Sequence, residues 1–457
     1  MTRRPHCTDY ARGELARRAR ALPGHGLPAI EPGMPLPAGT GLSRQRFLAR
    51  AAGLALTVYG GSRLDVGAFA EGIARAAEGE PPRVLVSVFL DGGIDALSVL
   101  QPAADDRLRR LRPRLAAAPA GPAFAEGAGL RWHAEAAPLA ELHAEGKLAV
   151  ATAIGYEQHN QSHFTSRHYY EVGALDHRLR VGWLGRAVDA FGTPDNPLQG
   201  LSLDGHLAPA LASARHPVAA IAGGESYDLW AGNVWGDPER AMYETLPTLG
   251  DADPTAAAVR AVAGQAAALR STFQPFDRKD DAPIPSPVPY PDGGDDRFPL
   301  RLAALAEYLA AGLPIRIAAL DAPGRYDTHD DQAEPLARGL GLTAASLLAF
   351  QRDLEARGLA DRVVVHVWSE FGRRPEENGS GGTDHGAAGL GLVLGSRVRG
   401  TMLGEPPDLA RLDREGNLQA SIDFRGLHAA LLEQWLGLDA AAILPDAAAV
   451  ARPQVIR

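Results

Sequence analysis

Histidines, carboxylates and hydroxyls gather in a few short stretches of this 457-residue chain. The densest runs from His159 through Asn160, Gln161, Ser162, His163, Thr165, Ser166 and Arg167 to His168. Asp91, Gly92, Gly93 and Asp95 form a second, and Asp327, Thr328, His329, Asp330 and Asp331 a third. Ser369, Glu370, Phe371, Gly372 and Arg373 follow, then Gly382-Thr383-Asp384-His385-Gly386. Carboxylate oxygens and imidazole nitrogens are the ligands that Zn²⁺, Mn²⁺ and Mg²⁺ take. Asp91, Asp95, Asp327, His329, Glu370, Asp384 and His385 are therefore the candidate ligands of a divalent metal. Ser162 falls near a helix start, where backbone N–H groups favour an anion. A hydroxyl there attacks phosphorus once its pKa is lowered, so Ser162 is the candidate nucleophile. His163 and Arg373 are of the types that steady a transferred oxyanion. Each stretch alone has a structural reading: an Asp-x-His turn, Asp384 as a turn cap, Glu370 paired with Arg373, or Ser162 as a helix cap.

What joins them is position. Near-continuous apolar runs at 84–90, 147–154, 314–320, 362–368 and 389–394 suit strands buried on both faces. Helical patterns at 138–145, 162–172, 256–273, 299–311, 336–356 and 426–435 separate them. This alternation predicts an α/β fold, a mostly parallel central sheet with helices on both faces. Ligands in such sheets bind beyond the carboxyl ends of the strands, and the polar stretches stand at those ends. Neither GxGxxG nor a Gly-x-x-x-x-Gly-Lys phosphate loop occurs. In 336–356, Leu342, Ala345, Leu348, Phe350 and Leu354 read as the core face. The Pro- and Asp-rich stretch 274–299 reads as an extended surface loop or a lid.

Leu90-Asp91-Gly92-Gly93-Ile94-Asp95, Asn160-x-Ser162-His163-Phe164, Tyr326-Asp327-Thr328-His329, Ser369-Glu370-Phe371-Gly372-Arg373 and Asn378-Gly379-Ser380-Gly381-Gly382-Thr383-Asp384-His385-Gly386 resemble, in order and spacing, the bacterial domain-of-unknown-function 1501 family. The resemblance spans about residues 43 to 436. It implies a fold similar to the alkaline phosphatase and sulfatase superfamily. Carried over on that likeness, Asp91 or Asp95 resembles the first-strand Asp, and Ser162 the nucleophile with Thr165 behind it. Asp327 and His329 resemble the middle Asp/His group. Glu370 stands where an Asp-His pair is usual, with Phe371 in place of the His. His385 resembles the late His, unless Asp384-His385 is itself the pair.

Composition bounds the alternatives. Lys+Arg number 46 against 55 Asp+Glu, a net charge of -9, so no basic surplus points to nucleic acid. No apolar run reaches the roughly 18 residues of a membrane span. Residues 1–70 differ from the rest, with ten arginines against four acidic residues. Ser43-Arg44-Gln45-Arg46-Phe47-Leu48, the apolar run 51–59 and Ala68-Phe69-Ala70 follow the order of an export signal. They are similar to a twin-arginine signal, with Gln45 at the second arginine. The expected organisation is an N-terminal region 1–70 and a single domain 71–457, exported to the periplasm or beyond. The lone cysteine, Cys7, lies in the first part, so the remainder has neither disulfide nor cysteine nucleophile. The expected activity is metal-dependent hydrolysis of a small anionic phosphate or sulfate ester. The alternative is a non-catalytic exported protein that keeps the fold for binding or cell-envelope assembly.

Overall fold

Six consecutive residues, Val84–Phe89, are buried without exception, because Val84, Val86 and Val88 on one face and Leu85, Ser87 and Phe89 on the other can all be covered only inside a sheet. The computed structural model describes residues 34–36, 38, 56–59, 66–79, 81–127, 129–221, 269, 271–276, 278 and 283–457. They fall into two units.

The unit formed by 83–175, 286–306 and 320–457 holds every candidate residue. Val84–Phe89 pairs parallel with Val363–Trp368, Phe89 opposite Trp368. Gly389–Leu394 runs antiparallel to Val363–Trp368 on one side and to Leu148–Gly155 on the other. The short strands Met402–Leu403 and Ile422–Asp423 both pair parallel with Leu148–Gly155. In the other unit, Leu56–Tyr59 is antiparallel to Val218–Ile221, which is parallel to Gly200–Ser202, itself parallel to Ile317–Ala319. Parallel pairs prevail, as the alternation predicted, and helices connect them. The antiparallel Gly389–Leu394 was not expected. Its cause is local: only a β-hairpin, Gly372–Glu377 with Thr383–Gly386, separates it from Val363–Trp368. Without a crossover helix the chain returns beside the strand it left, in the opposite direction.

Helix His163–Val172 starts at Ser162 and stops at Gly173, whose φ of 63° is the left-handed cap that glycine takes without strain. Helix Ala333–Ala356 buries Leu336, Leu340, Ala344, Leu347, Phe350 and Leu354. The expected stripe was displaced: Phe350 and Leu354 are core, whereas Leu342, Ala345 and Leu348 are only half-buried. The same helix buries Asp353, which accepts hydrogen bonds from Ser286 Oγ (3.1 Å) and Tyr290 OH (3.0 Å). Those bonds pin the Pro-rich stretch to the helix, so residues 286–290 are anchored structure and not a lid. Of the export-signal pattern, 43–55 lies outside the described residues, as do Cys7 and most of the expected helix 256–273. Residues 56–59 of its apolar run form the strand just described, and Ala68-Phe69-Ala70 lies within helix Val66–Ala77.

Candidate metal centre

The parallel register decides what meets what. With Phe89 opposite Trp368, the turns leaving the two strands lie side by side. The first turn needs two left-handed residues, Gly92 at φ 110° and Gly93 at φ 74°. A Cβ on Gly92 would come within 2.3 Å of the Asp327 amide, and one on Gly93 within 2.3 Å of the Phe371 ring. The glycines thus permit close approach as well as the turn. Their amides point at Glu370: Gly92 N donates to Oε1 (3.0 Å) and Gly93 N to Oε2 (3.1 Å). Ser369 Oγ closes the turn, donating to Leu90 O (2.7 Å) and accepting from the Gly93 and Ile94 amides (3.1 Å each).

Glu370 is fully buried. Burial pushes its carboxyl up, but the His163 hydrogen bond, the charge His163 carries when protonated and the backbone donors outweigh it and hold it below the usual range. The ionised carboxylate accepts from His163 Nδ1 at 2.8 Å. Glu370 therefore stands behind His163 as its partner, not among the ligands as expected. His163 is the first residue of its helix, and its Nε2 lies 3.4 Å from Asp327 Oδ1.

Asp327 is the meeting point. His329 Nε2 is 3.0 Å and His385 Nε2 3.2 Å from the same Oδ1, and Arg373 Nη2 donates to it at 2.7 Å. Burial would raise this carboxyl; when protonated on Nε2, His163, His329 and His385 would each donate to it and hold it far below the usual range. One ligand atom each from His163, Asp327 and His385 lies within 4.8 Å of the others. His329 Nε2 is 3.0 Å from His385 Nε2.

The far nitrogens fix the ring tautomers. His163 Nδ1 faces ionised Glu370, His329 Nδ1 faces Asp384 Oδ1 (3.2 Å), and His385 Nδ1 faces Gln161 O (2.8 Å). A carbonyl or carboxylate oxygen only accepts, so each Nδ1 carries the proton. In the neutral rings each Nε2 is then a lone pair. Arg373 Nη1, an obligate donor, lies 3.4 Å from His329 Nε2 and agrees with that assignment. Three lone pairs thus converge on an anionic oxygen. Acceptors facing acceptors at about 3 Å need a cation between them, a metal ion or added protons. Two imidazoles and a carboxylate, with a third imidazole beside them, suit a divalent ion such as zinc, and the partners behind each ring are the usual supports of such ligands.

Arg373 does not fill its expected role. It is buried, with Nε on Gly93 O (2.9 Å), Nη1 on Thr383 O (2.9 Å), and Nη2 on Gly92 O, on Tyr326 O (2.9 Å) and on Asp327. With its donors so engaged, it clamps Asp327 and the glycine turn instead of meeting an oxyanion. Asp95 also departs from expectation. It is buried against Arg112 Nη1 (2.6 Å), Ser98 Oγ (2.6 Å) and Gln332 Nε2 (2.6 Å). Arg112, Ser98 and Gln332 outweigh burial and keep it ionised. Asp91 lies 3.6 Å from Arg167 Nη1, outside the group of three. Asp384 backs His329 and is half-exposed. Ser162 Oγ caps its helix, accepting from Phe164 N (3.2 Å) and Thr165 N (3.3 Å).

Sequence reasoning missed Gln332. Its fully buried amide accepts from Thr383 Oγ1 (2.6 Å) and Thr328 Oγ1 (3.0 Å) while donating to Asp95. It ties the loop of Asp327 and His329 to the strand of His385, and a lone Gln carries no sequence signal for that. Asn378 does related work, its Nδ2 donating to His329 O (2.7 Å). Its place in an Asn-Gly-Ser-Gly-Gly turn was the available clue.

A model of the family described as "Protein of unknown function (DUF1501)" matches residues 146–449. No curated protein matches the sequence. Among solved structures, the chain is similar to the C-terminal periplasmic domain of EcEptC from Escherichia coli, in complex with Zn, at 11% identity and a TM-score of 0.37, covering 82% of this chain and 88% of that one. It is similar to a protein in the alkaline phosphatase superfamily from Vibrio parahaemolyticus, at 9% identity and a TM-score of 0.35, covering 82% and 76%. The PsFucS1 sulfatase from Pseudoalteromonas sp. stands at 11% identity and a TM-score of 0.34, covering 87% and 78%.

Proposed function

The chain belongs to the DUF1501 family, whose function is unknown, and from the geometry of its centre we propose that it is an exported, metal-dependent hydrolase of phosphate or sulfate esters. The observation that carries this reading is the convergence of His163, His329 and His385 Nε2 on Asp327 Oδ1, each ring with its other nitrogen tied to an acceptor. A divalent cation held by His163, Asp327 and His385, with His329 beside them, would act as a Lewis acid that polarises an ester oxygen and lowers the pKa of an attacking hydroxyl.

The chain's own groups supply the rest. Glu370, Asp384 and the Gln161 carbonyl keep a proton on each Nδ1 and so keep each Nε2 aimed inward. Arg373 holds Asp327 in place. Ser162 Oγ is the proposed nucleophile: the Phe164 and Thr165 amides it already faces favour the negative charge that develops on it. Its attack forms a serine ester and expels the alcohol, and water then cleaves that ester.

Elemental analysis of protein purified without added metal tests the centre. The expected result is about one equivalent of a transition metal, zinc foremost, removed by chelator with a fall in melting temperature. Asp327→Asn and His385→Ala are expected to lose the metal while staying folded. Metal-free protein whose melting ignores both chelator and added divalent cations would overturn the reading.

A further inference from the structure

Beside the centre, Gln158, His159, Asn160, Gln161 and Glu415 line a cleft of about 450 Å³. Its floor is the stretch that leads into Ser162 and His163, and the Gln161 carbonyl fixes the tautomer of His385. Asp413 makes the cleft rigid. Its Oδ1 accepts from the amides of Glu415 and Asn417 (2.8 Å each), and its Oδ2 from Asn417 Nδ2 (2.9 Å) and His159 Nε2 (3.1 Å). Gln158 adopts φ 53°, a left-handed conformation that costs a non-glycine residue energy and marks a shaped segment.

The polarity of the lining follows from those bonds. His159 Nε2 faces Asp413 Oδ2, and its buried Nδ1 has no hydrogen-bond partner among the described residues. Gln161 Nε2 donates to Asn417 Oδ1 (3.1 Å), which turns Oε1 to the acceptor role. Asn160 Oδ1 takes the Ser162 amide (2.8 Å), which turns its Nδ2 to the donor role. Glu415 adds a carboxylate, and neither arginine nor lysine lines the cleft. Such a lining repels anions and offers the Glu415 carboxylate with the side-chain amides of Gln158, Asn160 and Gln161 to groups that donate and accept together. Hydroxyls are those groups.

We propose that this cleft binds an uncharged, hydroxyl-rich group of the kind a sugar presents. On the hydrolase reading that group is the alcohol part of the ester, its anionic end lying at the metal centre. Only this last assignment rests on that reading; the cleft's own preference does not.

Saturation-transfer NMR on the full chain tests it, with the methyl glycosides of glucose, galactose, mannose and fucose as probes. At least one is expected to bind the wild type. Glu415→Arg, a change at an exposed position, is expected to weaken it about tenfold, the loss of a hydrogen bond to a charged partner. Asp327→Asn is expected to leave glycoside binding unchanged while removing the metal. Variant-sensitive glycoside binding in a chain that hydrolyses no ester would keep the cleft and discard the hydrolase. No binding by any of the four glycosides, or binding that Glu415→Arg leaves intact, would overturn the proposal.

Discussion

Asp327 Oδ1 is met by three ring nitrogens and a guanidinium, and the protonation of those rings decides what the centre does. Arg373 alone would give a structural salt bridge. The three imidazoles make it a ligand set, because every Nδ1 is already committed to an oxygen. Ser162 carries two jobs that differ in size. As a cap its loss costs about 1 kcal/mol of stability. As a nucleophile its loss removes turnover by orders of magnitude with the fold intact. Ser162→Ala, assayed on phosphate monoesters, phosphate diesters and sulfate esters, is expected to melt slightly earlier and to lose turnover almost wholly. Activity that survives the change would hand the attack to water.

At the scale of elements, the turn after Val84–Phe89 is the most sensitive. Gly92→Ala would place a methyl against the Asp327 backbone at a φ of 110°. It is expected to destabilise the chain by more than about 2 kcal/mol and to lower metal content. Gly294→Ala, where a Cβ meets nothing within 4 Å at φ 57°, is expected to cost about 1 kcal/mol and leave the metal alone. Calorimetry with metal analysis separates the two. The strand Val363–Trp368 adds a pH dependence. His366 is fully buried in it, facing His428 with ring centroids 5.3 Å apart, and burial pushes its pKa from 6.5 down to about 3. The unfolded chain binds that proton first, so stability is full above pH 6.5 and falls toward pH 3, by about 1.4 kcal/mol for each pH unit crossed. His366→Leu is expected to move the acid-unfolding midpoint to lower pH. An unmoved midpoint would show that His366 does not set the acid limit.

For the whole molecule the open matter is where the mature chain begins. The order of residues 43–70 supports export with cleavage near Glu71. Such cleavage removes Leu56–Tyr59 and leaves Val218–Ile221 without that antiparallel neighbour. N-terminal sequencing of protein from fractionated native cells is expected to read a start near Glu71 outside the cytoplasm. Met1 retained in the cytosolic fraction would refute it, and Leu56–Tyr59 would then be a permanent part of its sheet. Replacing Arg44 and Arg46 by Lys is expected to block export if the twin-arginine route is used.

The sequence alone determined the five apolar runs that form the main strands and where the reactive residues stand. Runs such as Val84–Phe89 and Val363–Trp368 are too uniformly apolar for any exposed element, and polar stretches at their ends follow from how parallel sheets bind ligands. It could not determine which carboxylate the imidazoles converge on. Asp327 and Glu370 look alike as acids after strands, yet one is the meeting point of three rings and the other is enclosed by Gly92, Gly93 and His163. That difference comes from a parallel register with Phe89 opposite Trp368, which carries the glycine turn onto Glu370. Register, and the tautomers set by Glu370, Asp384 and the Gln161 carbonyl, join residues up to hundreds of positions apart, and no local pattern encodes a contact at that distance. Gln332 shows the same limit: it matters only because folding places Thr328, Thr383 and Asp95 around one amide.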